Sequence, residues 1–358
     1  MIDIKSIVIT PEILGLIAEI DEFKGAWKQL GQLAPDRLSA LKKIATIESI
    51  GSSTRIEGSK LTDREVEALL SRIDLLSFQS RDEQEVASYA YACEKIFDNF
   101  EAISITENTI KQIHTWLLQY SDKDQRHRGE YKKLPIQIEA FDSQGKSLGI
   151  VFETTSPLET PLKMQDLVAW TQDTLEKKTL HPLIVIGLFV VIFLAIHPFQ
   201  DGNGRLSRLL STLMMMKCGY YYVPYSSLES VIEANKESYY LALQRTQKSW
   251  QNHRPDWTPW LLFFFRCLQR QKEHLEVKIT REKILLKELP ELSKQILGLL
   301  ESHGRLGIAE IESLTQANRN ILKKSLASLT QNNYIKRNGQ GKASWYTLSL
   351  VLLTLLLL

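Results

Sequence analysis

Fourteen consecutive residues, Leu183–Ile196 (LIVIGLFVVIFLAI), carry neither charge nor polar side chain. A bilayer span needs roughly 20 apolar residues, and this run stops short of that at His197-Pro198. It reads as a helix buried on every side. Most of the remaining chain also has helical periodicity, so the expected fold class is mainly α.

Within Met1–Phe100, charged faces recur around Ile44–Ile50, Asp63–Ile73 and Glu83–Phe97. Thr62-Asp63-Arg64-Glu65 has the pattern of a capping box that opens a helix. One segment breaks the helical pattern. Leu134–Phe141 alternates Ile136, Ile138 and Ala140, a turn-like Asp142–Gly145 follows, and Leu148–Phe152 is apolar again. That predicts a β-hairpin resting on the helices, with a free edge able to pair with another chain. Beyond about Glu276 the pattern changes again. Helices are expected at Leu292–Ser302, Ile308–Leu314 and Asn318–Gln331, then short strands at Tyr334-Ile335 and Ser344–Leu348 around Asn338–Gly341. Three helices and a β-wing resemble a winged helix-turn-helix. Arg319, Lys323, Lys324, Lys336, Arg337 and Lys342 would make its third helix and wing basic. A solvated helical accessory domain is the competing reading, since winged helices also bind protein.

Composition narrows the function classes. The chain has 358 residues, 44% hydrophobic and 24% charged, which fits two or three globular units and excludes wholesale disorder. A net charge of +2 excludes a general nucleic-acid-coating protein, but Gln271–Trp345 holds 13 Lys and Arg against 8 Asp and Glu. Three scattered cysteines form neither a disulfide framework nor a zinc pattern. The first ten residues lack a signal-peptide layout. A reducing, cytoplasmic setting without a membrane span is expected. The leucine-rich end is also short of a bilayer span, and the sequence assigns it no role. The boundaries expected are 1–96, a helical region; 97–270, the core; 271–348, the winged-helix-like part; and 349–358, a hydrophobic tail.

The chemistry lies in His197–Arg208, HPFQDGNGRLSR. Gly202 and Gly204 let the backbone turn sharply and approach a ligand. Amides at the start of the following helix converge on one concavity that favours an anion. Arg205 and Arg208 add positive forks matched to phosphate. Asp201 beside such a cradle makes sense with a divalent cation between carboxylate and phosphate, as Mg2+ does for polyphosphates. His197 is a base that is neutral near pH 7. This is the layout of a nucleotide-transfer site.

The stretch is similar to the signature of the Fic family, HxFx(D/E)GNGRxxR, and meets every specified position: His197, Phe199, Asp201, Gly202, Asn203, Gly204, Arg205 and Arg208. The resemblance extends over at least Phe97–Cys267, with the hairpin as the family's flap. It implies a Fic helical core that transfers AMP from ATP to a Ser, Thr or Tyr hydroxyl of a protein, itself included. His197 would deprotonate the hydroxyl, and Asp201 would hold Mg2+ on the α- and β-phosphates. Gly202, Asn203 and Gly204 would bind those phosphates, with Leu206 and Ser207 in the same ATP-binding segment. Arg205 would pair with the β-phosphate and Arg208 with the γ-phosphate. Ile138, Glu139, Ala140 and Phe141 of the flap would align the target segment, and Tyr239 and Tyr240 would line the adenine side. Gln247 stands where some relatives have an Asn near the base, and Lys132 where the family often has Arg. His181 reads as a helix cap, whereas His114, His127, His253, His274 and His303 show no partner pattern.

A second motif, Ser53-Thr54-Arg55-Ile56-Glu57-Gly58, matches the family's inhibitory pattern, (S/T)xxxE(G/N). By that resemblance Glu57, on an N-terminal inhibitory helix with Ser53, would compete with the γ-phosphate for Arg208. In some relatives the same glutamate serves removal of AMP, which gives Glu57 a hydrolytic alternative. Transfer of phosphate, UMP or phosphocholine, and a DNA-binding regulator with the core as nucleotide sensor, are the rival readings. A homodimer stays open.

Overall fold

The computed structural model describes residues 6–30, 35–72, 78, 80–141, 147–251, 255–287, 289–332, 334–339 and 344–348. The hairpin turn at Asp142–Gly145 and the tail at 349–358 lie outside them, as do Gln340, Gly341 and Lys342. The chain divides into two compact units: residues 1–24 with 44–272, and residues 25–43 with 273–358.

The first unit is helical around α7 (Pro182–Ile196), in which every residue from Leu183 to Ile196 is buried. His181 is its N-cap, accepting the Leu183 N–H at Nδ1 (3.3 Å) while Nε2 meets Asp21 at 2.9 Å. The helix packs between α6 (Thr160–Lys177) and α8 (Asn203–Lys217). On another side, Trp260 of α11 (Thr258–Lys287) donates its indole N–H to the Gly187 carbonyl (2.7 Å). With no solvent-facing stripe, a truncation such as Phe193→Ala costs about 3–5 kcal/mol. Helices α4 (Arg81–Asn99) and α5 (Glu107–Leu117) cover α8.

Ahead of these stand α1 (Pro11–Leu30), α2 (Pro35–Ile56) and α3 (Asp63–Leu70). The capping box at Thr62 is formed: its hydroxyl accepts from Glu65 N–H, and Glu65 returns to Thr62 N–H at 2.8 Å. The hairpin is β1 (Gln137–Phe141) against β2 (Ser147–Glu153), antiparallel, with register shifts after Ile138 and after Ala140. Ile138 faces Phe152, Glu139 faces Ile150, Ala140 faces Gly149 and Phe141 faces Ser147 across the ladder. After α8, a 3-10 turn (Val223–Tyr225) and α9 (Leu228–Ala234) lead to α10 (Lys236–Gln251), which runs beside β2.

In the second unit, α12 (Glu291–His303), β3 (Arg305–Gly307), α13 (Ile308–Thr315), α14 (Arg319–Gln331), β4 (Ile335–Asn338) and β5 (Trp345–Leu348) follow one another. The helices and the last two strands were legible; β3 was not. Three residues carry no alternation, and β3 exists because β5 pairs with it on one side and with β4 on the other. Ile296, Leu300, Ile311, Leu322, Leu326 and Ile335 form its core.

Candidate active site

The loop between α7 and α8 is held by its own residues. Helix α7 ends at His197, whose backbone is left-handed (φ 52°) and whose N–H donates to Phe193 O at 2.8 Å. Phe199 is buried, and the Asn203 carboxamide grips it from both sides. Phe199 N–H donates to Asn203 Oδ1 (2.9 Å), and Asn203 Nδ2 donates to Phe199 O (2.7 Å). Gly202 then caps α8 in a left-handed conformation (φ 80°) that suits glycine. The N–H groups of the first turn of α8 have no intrahelical acceptors, and a helix N-terminus of this kind favours an anion.

His197 is half-buried. Its Nδ1 lies 3.2 Å from Leu194 O. A carbonyl only accepts, so Nδ1 carries the proton and Nε2 is left with a lone pair. Burial, with the Lys132 charge as a lesser contribution, pushes the imidazole down to about 4. It is a neutral base at pH 7.

Asp201 and Arg205 form the next layer. Asp201 Oδ1 accepts from Gly202 N–H (2.5 Å) and Arg205 Nη2 (3.2 Å), and Arg81 Nη2 is 3.7 Å from Oδ2. Burial raises the Asp201 carboxyl, but Arg205, the Gly202 amide and Arg81 together hold it below its ordinary value. Arg205 is itself buried, with Nη1 3.2 Å from Glu85 Oε2 of α4. Glu85 in turn accepts from Arg81 Nε at 2.7 Å.

Arg208, one turn further along α8, meets the end of α2. Its Nε donates to Ser53 Oγ (2.8 Å), and its Nη2 donates to Ser53 O (3.0 Å) and Glu57 Oε1 (2.8 Å). The spacing of four puts Ser53 and Glu57 on one helical face, which is why both reach the same guanidinium. Glu57 also lies over Gly204: a Cβ there would be 2.2 Å from Glu57 Oε1 and 3.4 Å from Arg208 Nη1. The carboxylate thus occupies the open N-terminus of α8. Arg208 Nη1, on the same side, is buried and meets no acceptor among the described residues.

The remaining expected contacts are placed differently from one another. Leu206 is fully buried, and its N–H donates to Gly202 O at 2.8 Å. Ser207 Oγ donates to Gly204 O (2.8 Å). Both side chains shape α8 and leave only their backbone toward the loop. Tyr239 is buried and packs edge-on to Tyr240 (5.1 Å) and Trp260 (5.9 Å), within electrostatic reach of Arg208. Of Ile138–Phe141 the backbone pairing is described.

His114, which shows no partner pattern in the sequence, has two partners in the fold. Gly129 N–H donates to His114 Nδ1 (3.0 Å), so Nε2 carries the proton and donates to Asp201 O (3.0 Å). The ring stacks on Phe199 with centroids 3.8 Å apart and 13° between planes. These partners are 15 and 87 residues away, beyond any local pattern. Arg55, Glu85 and Lys132 likewise act through residues distant in the chain.

Residues 104–215 match the family model described as Fic/DOC family. Proteins named protein adenylyltransferase Fic from Drosophila sechellia and Drosophila melanogaster are each 25% identical over 289 residues. That is 80% of this chain but 51% of the relative, so the chain spans about half the length of these curated relatives. Among solved structures, a Fic family protein from Desulfovibrio desulfuricans G20 superposes with a TM-score of 0.61 at 24% identity, over 96% of this chain and 97% of that one. A Fic domain containing signaling protein from Bacteroides thetaiotaomicron gives a TM-score of 0.55 at 25% identity, over 73% and 93%. The chain carries a Fic/DOC family domain at residues 104–215.

Proposed function

We propose that the chain transfers AMP from ATP to a hydroxyl of a protein side chain and that Glu57 holds this activity back. The observation that carries the reading is the position of the Glu57 carboxylate. It lies on Arg208 and over Gly204, where a phosphate of bound nucleotide would take the same donors. The buried, unpaired Arg208 Nη1 beside it fits an anion with more acceptor oxygens than one carboxylate offers. The curated relatives named adenylyltransferase support the choice of AMP.

In the reaction, His197 Nε2 takes the proton of the target hydroxyl as its oxygen attacks the α-phosphorus. The bond from that phosphorus to the bridging oxygen breaks, and pyrophosphate leaves with the electron pair. The α8 amides stabilise charge on the non-bridging oxygens. No cluster of three or more His, Cys, Asp or Glu able to hold a metal exists among the described residues. A lone carboxylate, Asp201, fits Mg2+ held jointly with substrate phosphates, the usual arrangement for that ion. When bound, the ion would neutralise phosphate charge; Asp201 would hold it, and Arg205 and Gly202 keep that carboxylate ionised and oriented.

The test is transfer from ATP labelled at the α-phosphate against the γ-phosphate. Label from α supports AMP transfer; label from γ alone makes the chain a phosphotransferase. A second reading rests on the second unit, where Arg319, Lys323, Lys324, Lys336 and Arg337 are exposed on α14 and β4. DNA binding by that face would weaken steeply with salt. Absence of a shifted DNA fragment at low salt removes it.

A further inference from the structure

We propose that Lys132 is the positioning residue of His197 and ties the flap to it. The proposal rests on the base role assigned to His197 above.

A helix leaves its last carbonyls without intrahelical partners, and those of α7 are all assigned. Phe193 O accepts from His197 N–H, and Leu194 O lies against His197 Nδ1. Ala195 O accepts from Thr155 N–H (3.3 Å). Ile196 O accepts from the Lys132 ammonium (2.9 Å). The Lys132 backbone N–H donates to Pro198 O at 2.8 Å. One residue therefore holds the carbonyls of both chain neighbours of His197, Ile196 with its side chain and Pro198 with its backbone. His197 is one of three non-glycine residues with positive φ among those described. Such a conformation is costly unless its neighbours impose it, and Lys132 is the neighbour that does.

The same ammonium donates to Thr154 Oγ1 (2.8 Å), and that hydroxyl donates to Ile136 O (2.7 Å). Ile136 precedes β1 and Thr154 follows β2, so the two legs of the flap are joined at Thr154, which Lys132 holds. A displacement of the flap is transmitted to the peptide before His197 through two hydrogen bonds. The cation also sits at the negative end of α7, where it is favoured. Lys132 is 3% exposed, and an ammonium so buried is costly without such partners. Burial lowers its own value to about 8, and its charge acts on the imidazole to lower that of His197. Glu57 from α2 and Asp201 from the loop act on His197 in the opposite direction.

The test uses the full chain in a Glu57→Gly background, with Lys132→Met, Lys132→Arg and Thr154→Val. Lys132→Met should lower kcat at least tenfold with KM for ATP within twofold, and should move the acid limb of the pH profile upward by about one unit. Lys132→Arg, which keeps the charge and the donors, should restore kcat to within threefold and return the acid limb. Thr154→Val cuts the link to Ile136 and keeps the cation, so kcat falls without a shift of the limb. Direct titration of the His197 ring by NMR, assigned with His197→Ala, reads the same shift without turnover. If Glu57→Gly transfers no AMP, the function reading fails while this titration still decides the role of Lys132. An unmoved His197 titration in Lys132→Met, or Met and Arg variants that behave alike, overturns the proposal.

Discussion

Under the proposed inhibition, Arg55, two residues before Glu57, should set how firmly the Glu57 carboxylate is seated on Arg208. Its guanidinium has five N–H groups, and all five are used. Nε and Nη2 grip Glu233 of α9 at 2.7 and 2.9 Å, and Nη2 also donates to Ser52 Oγ (3.1 Å). Nη1 donates to Asp63 Oδ1 (2.8 Å) and Leu61 O (3.0 Å). Gly51 makes room for this knot: a Cβ there would be 2.5 Å from Asp63 Oδ1 and 2.7 Å from Arg55 Nη1. Asp63 is half exposed, so its contribution is discounted for solvent screening. The bidentate Glu233 pair, with side chains 23% and 29% exposed, is the main term. Charged hydrogen bonds of this kind contribute about 1–2 kcal/mol after partial exposure. Arg55→Ala should raise the population with Glu57 off Arg208 by roughly 5- to 30-fold, since about 1.4 kcal/mol is a factor of ten. The assay is the initial rate of AMP transfer from α-labelled ATP by Arg55→Ala, Glu57→Gly and the double variant. Arg55→Ala should be faster than wild type and slower than Glu57→Gly, and the double variant should match Glu57→Gly. An Arg55→Ala rate equal to wild type in a folded protein, or a further gain in the double variant, would refute the reasoning.

Other outcomes follow from the same geometry. Gly204→Ala puts a Cβ 2.2 Å from Glu57 Oε1, so Glu57 must move, yet the methyl also fills the anion site. ATP binding by calorimetry should be lost with or without Glu57, and retained binding in Glu57→Gly/Gly204→Ala would contradict the placement of the phosphates. Burial above all pushes His114 from 6.5 down to about 4. The unfolded chain then binds that proton and the folded one does not, so stability falls as pH drops from about 6.5 toward 4, by about 1.4 kcal/mol per unit. The urea midpoint should be lower at about pH 5 than at pH 7, with a smaller difference in His114→Gln; equal sensitivity in both would refute it. Burial raises the Glu57 carboxyl, but the charge and hydrogen bond of Arg208 outweigh it and hold it below its ordinary 4.5. A depressed carboxyl keeps its ion pair as pH falls to that value, so wild-type transfer should not be released between about pH 8 and 5. A wild-type burst near pH 6, absent from Glu57→Gly, would contradict this.

The parts of the molecule that announce themselves locally were readable in the chain. The unbroken apolar run of α7, the Thr62 capping box, the His181 cap and the hairpin each depend on residues within a few positions of one another. The signature loop was legible because glycine, carboxylate and arginine lie within twelve residues, and the meeting of Glu57 with Arg208 followed from the family's pattern. What escaped reading is what the fold assembles across the sequence. His114 reaches Asp201 over 87 residues, Lys132 reaches Ile196 over 64, and Arg55 reaches Glu233 over 178. A histidine or arginine on a helix face looks the same whether its partner is water or a distant carboxylate. Asn203 shows the opposite limit: its place in the motif marks it for phosphate, whereas its carboxamide closes the loop on Phe199.

The most direct measurement is intact mass of the full chain after incubation with Mg2+, ATP and a cell extract, with parallel α- and γ-labelled nucleotide. Wild type, Glu57→Gly and Glu57→Gly/His197→Ala are compared. The expected result is α-label alone, higher in Glu57→Gly than in wild type, and absent without His197. Equal α-label in wild type and Glu57→Gly, or label that survives the loss of His197, would contradict it.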